Sequence, residues 1–201
     1  NKSNTYSEKN KWSTNKANSH YSITKFKSEN EIWRGVQEGL DAVITNPGII
    51  LGPGNWSRSS TTFFKSVKKG LPYFPIGKNG FVDVRDVSKT IIQLTKSEIS
   101  AEKYIVVAEN CSYERIFKSI ASSFNIPLPS KKASPFLLEM AWRYEGLKTL
   151  FSSRKPSITK ETARTSSMEN RYENNKIIKE LNYKFYSIED AIENAVYYFK
   201  N

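Results

Sequence analysis

Apolar residues recur at helical spacing from residue 23 onward, after a polar start. The first 17 residues, rich in Asn, Lys and Ser, predict a surface loop. Ile23, Phe26, Ile32, Trp33 and Val36 then mark one or two buried stripes of a helix. That helix is expected to start near Asn18 or Ser19, either of which can cap it, and to run to Glu38, with Gly39 ending it. Ala42 to Thr45 is short, apolar and partly β-branched, which predicts a fully buried parallel strand. A Pro/Gly-rich loop, Asn46-Pro47-Gly48-Ile49-Ile50-Leu51-Gly52-Pro53-Gly54, follows it.

Beyond this loop the pattern predicts a helix over 59–69 and a short strand and turn in Leu71-Pro72-Tyr73-Phe74-Pro75-Ile76-Gly77. It then predicts a short strand at Phe81-Val82-Asp83-Val84 and a helix over 85–96 with Val87, Ile91, Ile92 and Leu94 inward. A strand over 103–109 leads to a helix from Ser112 to about Phe124, and then to a loop over 125–135. Helices are expected over 136–150, 159–166, 174–181 and 187–200; Ser187 and Asp190 have the spacing of a capping box.

Helix, glycine, strand and ligand-type loop make one step of a doubly wound α/β sheet. A mixed, helix-rich region with short strands follows. The predicted fold class is therefore α/β: the end of a parallel sheet over 1–56, and a smaller, mainly helical α+β region over 57–201, parts of which can return to the sheet.

Composition narrows the function. With 38% hydrophobic and 13% aromatic residues, the chain of 201 residues can bury a core. No apolar run approaches the roughly 20 residues of a membrane span, so no membrane partner is expected. The first residues carry no secretory leader and no initiator Met. One cysteine, Cys111, excludes an internal disulfide, and no Cys/His cluster offers a zinc site; a reducing, cytoplasmic setting is the simplest reading. The net charge of +11 raises nucleic acid as a partner, but the lysines are scattered and no reader motif is present. An anionic cofactor or substrate suits the same charge.

Three segments can carry chemistry. Tyr21 and Lys25 are four apart on a predicted helix and so share a face. A nearby ammonium stabilises a phenolate, making tyrosine a better proton carrier, and lysine has donors to spare for a ribose hydroxyl. The Asn46–Gly54 loop lies about 20 residues further on, at the carboxyl end of a strand, where open α/β sheets bind ligands. Phe81-Val82-Asp83-Val84-Arg85-Asp86-Val87 runs from strand to helix, with Asp83 or Asp86 available as a cap or ion-pair partner.

In this order and spacing, the three segments resemble the extended short-chain dehydrogenase/reductase family, also called NAD-dependent epimerase/dehydratases, in its dihydroflavonol reductase-like branch. The resemblance covers about residues 12–110 firmly and the rest loosely. It implies a Rossmann domain with a smaller C-terminal substrate domain. It implies that Tyr21 donates or takes the proton at a carbonyl or hydroxyl carbon, and that Lys25 binds the nicotinamide ribose of NAD or NADP. The backbone of Pro47, Gly48, Ile49 and Ile50 would line the nicotinamide side. His20, Asn46, Trp56, Arg58, Ser59, Tyr73 and Arg85 would contact a small carbonyl or hydroxyl substrate, and a homodimer is compatible with it.

The family's G-x-x-G-x-x-G phosphate loop is nowhere in the chain. Ser3, Ser7 and Ser13 lie in the polar start, so the family's catalytic Ser or Thr is expected upstream of Asn1. The resemblance thus implies the C-terminal part of an enzyme without its dinucleotide-binding half, inactive alone. A non-catalytic relative that senses a dinucleotide or binds a partner is the alternative.

Overall fold

The structure, a computed structural model, describes residues 4–13, 18–56, 59–150 and 158–200. Helix α1 (His20–Gln37) starts at Ser19, whose Oγ accepts the Ser22 amide at 3.0 Å and satisfies one orphan donor of the first turn. Gly39, at φ +98°, carries the chain out of the helix. Strand β2 (Val43–Pro47) follows and pairs in parallel with β6 (Glu102–Val106).

After Pro47 the same segment changes partners. As β3 (Ile49–Leu51) it pairs in parallel with β5 (Lys78–Asp83), which takes β7 (Glu109–Ser112) antiparallel on its other side. Gly48 is the pivot: its amide donates to the Val106 carbonyl at 3.1 Å. A Cβ there would lie 2.5 Å from the Gly80 carbonyl oxygen and 2.9 Å from Val107 Cγ2, so the crossing requires glycine.

The side chains of β5 alternate between two cores, as the pleat dictates. Phe81 enters the larger core with Leu51, with α2 (Thr61–Lys68), with α4 (Tyr113–Ser123) and with α8 (Ile188–Lys200). Val82 enters the second with Tyr104 and Val106 of β6, with α3 (Val84–Thr95) and with Ile177 of α7 (Asn175–Leu181). Strand β4 (Tyr73–Pro75) pairs in parallel with β8 (Lys131–Ala133). Beside it, α5 (Pro135–Leu150) and α6 (Lys160–Thr165) close a small cluster of Ala133, Leu138 and Ala163. Strand β1 (Asn4–Tyr6) pairs with β9 (Asn170–Tyr172), where the Tyr6 ring stacks on Tyr172 at 5.3 Å. Residues on both sides of position 56 therefore share one sheet through β2–β6 and one core through Leu51.

Several expectations are corrected. Strand β2 is half-buried rather than fully buried, because among the described residues it pairs on one side only. Likewise α1 buries none of its residues; Ile23, Phe26, Trp33 and Val36 are half-covered and Ile32 is exposed. The inward stripe of α3 is Asp86, Val87, Thr90 and Leu94, while Ile91 and Ile92 face solvent. The single strand over 103–109 is two strands, β6 and β7, separated by a bend at Ala108. Strands β1 and β8 lie in segments expected to be loops, and β9 was not anticipated. These three have no alternating apolar pattern, and distant partners set their extended backbone.

Candidate active site

Tyr21 and Lys25 sit one turn apart on the first half of α1, as their spacing requires. The Lys25 Nζ lies 5.9 Å from the Tyr21 ring centroid, within cation–π range. Tyr21 is 68% exposed. Among the described residues, no group hydrogen-bonds its hydroxyl and no carboxylate pairs with Lys25, so both polar tips are available to a ligand. The far half of the helix is fastened to the sheet. Lys103 on β6 pairs with Glu29 at 3.1 Å, and the Trp33 indole donates to the same carboxylate at 3.2 Å. Phe26 stacks on Trp12 at 4.5 Å. These contacts hold α1 from Phe26, next to Lys25, to Trp33. His20, the first residue of α1, is exposed beside Tyr21, and its carbonyl accepts the Thr24 hydroxyl at 2.9 Å.

The Asn46–Ile50 segment follows at the carboxyl end of β2. Asn46 and Pro47 are exposed; Ile49 packs toward the larger core and Ile50 toward the second. The Gly48 backbone closely approaches the chain's own Gly80, where a Cβ would lie 2.5 Å from the carbonyl oxygen.

The remaining candidates are not gathered around Tyr21. Trp56 packs at 4.0 Å on Phe199, with the Lys68 ammonium 4.9 Å above its ring. Tyr73 lies on β4 against the Ala133 cluster, and its neighbour Phe74 is buried. Ser59, at φ +53°, opens α2, its carbonyl accepting the Thr62 amide and hydroxyl. Arg58 lies outside the described residues, as does Ser3. Ser7 closes a turn with the Asn10 side chain, and the Ser13 carbonyl accepts from Asn18.

Arg85 is also committed. Asp83 caps α3 by accepting the Arg85 amide at 2.7 Å, and its carboxylate takes the Arg85 guanidinium at 3.0 and 2.6 Å. The hydrogen bond to Asp83 holds the guanidinium above its ordinary value. Its other side stacks on Tyr186 at 4.1 Å. Next to it, fully buried Asp86 accepts the Tyr183 hydroxyl at 2.8 Å and the Tyr186 amide at 3.1 Å. Burial raises the Asp86 carboxyl above the usual carboxylate range, against the pull of those two donors. Burial, aided by Asp86, likewise pushes the Tyr183 phenol up. The Phe81–Val87 segment thus locks α3 to the approach of α8. The sequence exposed the two aspartates but not Tyr183, some 97 positions from Asp86.

No protein-family model matches the chain. It is 29% identical over 189 residues to a putative dihydroflavonol 4-reductase of Synechocystis, a match covering 90% of this chain and 54% of that protein. It is 26% identical over 184 residues to sterol demethylase protein B of Methylococcus capsulatus, covering 90% and 56%. The crystal structure of dTDP-glucose 4,6-dehydratase from Bacillus anthracis in complex with NAD superposes with a TM-score of 0.71 at 11% identity, covering 100% of this chain and 57% of that one. The chain has the fold of that dehydratase over 57% of the dehydratase's length. It spans about half the length of the curated relatives it matches. Solved proteins of this fold hold NAD or, in another case, NADPH.

Proposed function

We propose that the chain is the C-terminal portion of an NAD(P)-dependent reductase or epimerase-like enzyme acting on a small carbonyl or hydroxyl compound. Support comes chiefly from one arrangement. A phenol and an ammonium stand one turn apart on the exposed start of a helix whose middle is pinned to the sheet, and among the described residues no group hydrogen-bonds the phenol hydroxyl and no carboxylate pairs with the ammonium. A lysine ammonium has three donors and no acceptor, which suits the two hydroxyls of a ribose. In this reading Tyr21 passes a proton to or from the substrate oxygen, with Lys25 stabilising the phenolate form. A bound nicotinamide supplies or takes the hydride. His20 and Asn46, both exposed, remain the substrate-facing candidates on this part of the chain. Trp56, Tyr73 and Arg85 already serve the packing described above.

The test uses the complete enzyme that contains these residues. Tyr21→Phe is expected to lower NAD(P)-linked turnover by about 10²–10⁴-fold while leaving dinucleotide affinity within about twofold. Lys25→Met should weaken dinucleotide binding as well. Undiminished turnover in Tyr21→Phe overturns the role given to it.

A further inference from the structure

One carboxylate ties helix α1 to the sheet. Glu29 lies one turn beyond Lys25 and about two turns beyond Tyr21, on the same side of the helix to within about 80°. Its Oε1 takes the Lys103 ammonium of β6 at 3.1 Å and accepts the Trp33 indole N–H at 3.2 Å. The Glu29 and Lys103 side chains are 23% and 28% exposed, so water screens them less than an open surface pair. Among the described residues, no other residue of α1 hydrogen-bonds or pairs with a strand. Apolar packing does not replace the tie, since α1 buries none of its residues. Trp12, the stacking partner of Phe26, belongs to the segment before the helix and not to a strand.

The strand end of this tie bears on the candidate site. Lys103 stands opposite Ile44 in the β2–β6 pairing, two residues before Asn46. The Glu29 pair therefore refers the position of α1 to the strand that ends in Asn46 and Pro47. Tyr21 and Lys25 keep their spacing from each other however the helix sits, because both ride on it. Their distance from Asn46 and Pro47 is not protected in that way. With side chains a helix is about 5–6 Å in radius, so a rotation of about 10° moves a tip by about 1 Å. A misplacement of about 1 Å at the reacting groups can cost about 10²-fold in rate. We propose that Glu29, given the roles of Tyr21 and Lys25 proposed above, is a positioning residue: through Lys103 and Trp33 it sets the rotation and height of α1, and so aims Tyr21 at the substrate and Lys25 at the dinucleotide.

Single-turnover reduction by the complete enzyme that contains these residues tests it, with NADH or NADPH and the aldehyde or ketone of a small panel that the native enzyme reduces fastest. At saturating dinucleotide and equal folded fraction by circular dichroism, Glu29→Gln should lower the rate by about 10–10²-fold. Lys103→Met should lower it as well, and the double variant no further than the slower single one, because both changes break the same tie. Lys103→Arg keeps the charge and the reach, and should retain most of the native rate. Glu29→Gln and Lys103→Met change the local charge in opposite senses, so a loss in both is positional. Rates that move in opposite directions would show an electrostatic influence instead and overturn the proposal. A native rate in Glu29→Gln with a lowered melting temperature overturns it too, since the pair then serves stability alone. Tyr21→Phe, run beside these variants, tells two failures apart. Loss of rate there with none in Glu29→Gln removes only the role of Glu29. No loss in Tyr21→Phe, or no carbonyl reduced by the native enzyme, removes the reading of the Tyr-Lys pair and the role of Glu29 with it.

Discussion

Gly48→Ala separates two explanations for a glycine in a ligand-type loop. One is that a bound cofactor needs the space; the other is that the chain itself does. In the structure the added methyl would sit 2.5 Å from the Gly80 carbonyl oxygen, against an ordinary contact of at least 3.4 Å, so a backbone-to-backbone approach must open by about 0.9 Å. Two further atoms, Gly80 C and Val107 Cγ2, are each 2.9 Å away, so the methyl cannot swing clear. Overpacking costs about 1–3 kcal/mol, and a clash with backbone belongs at the upper end. With a urea slope of about 2 kcal/mol per molar, a loss of about 3 kcal/mol lowers the unfolding midpoint by about 1.5 M. Urea denaturation of the chain without any dinucleotide reads this directly. An unchanged midpoint would refute the packing account and return Gly48 to the ligand reading.

Other outcomes follow from the same structure. Asp86→Asn turns an acceptor facing the Tyr186 amide into a donor or weaker acceptor, and should cost about 1–3 kcal/mol in thermal or urea unfolding. Because the folded Asp86 carboxyl is raised, the unfolded chain releases that proton first as pH rises. The group's contribution is therefore fullest below about pH 3.9 and is lost as pH rises through the folded value. Asp86→Asn should remove that part of the pH dependence. Burial pushes the Cys111 thiol up to about 12, so it should resist thiol reagents near neutral pH and react once urea unfolds the chain. The same shift withdraws stability as pH rises from about 8.5 toward the folded value. Gly146→Ala meets nothing within 4 Å inside α5, and should raise stability by about 0.5–1 kcal/mol.

Local chemistry was legible in the sequence, and distant pairing was not. The Ser19 cap and the Ser187–Asp190 pair depend on residues three apart; in the second, the Asp190 amide donates to Ser187 Oγ at 3.0 Å. The nearness of Tyr21 and Lys25 is fixed by helical spacing in the same way. Strands β1 and β9 escaped notice because Asn4–Tyr6 and Asn170–Tyr172 become strands only by meeting each other. The face of α3 was misjudged because a buried carboxylate replaces an isoleucine there, and its partner Tyr183 lies far along the chain. The Pro/Gly-rich loop was legible, but the packing at its Gly48 against Gly80 could be named only once β5 was in place. Apolar spacing in α5 announced a helix without saying which face would remain in water.

Single-turnover hydride transfer in the complete enzyme, comparing the native protein with Tyr21→Phe at saturating dinucleotide, tests the central claim most directly. The account predicts unchanged dinucleotide binding and a hydride-transfer rate lower by about 10²–10⁴-fold. A native rate in the variant would contradict it.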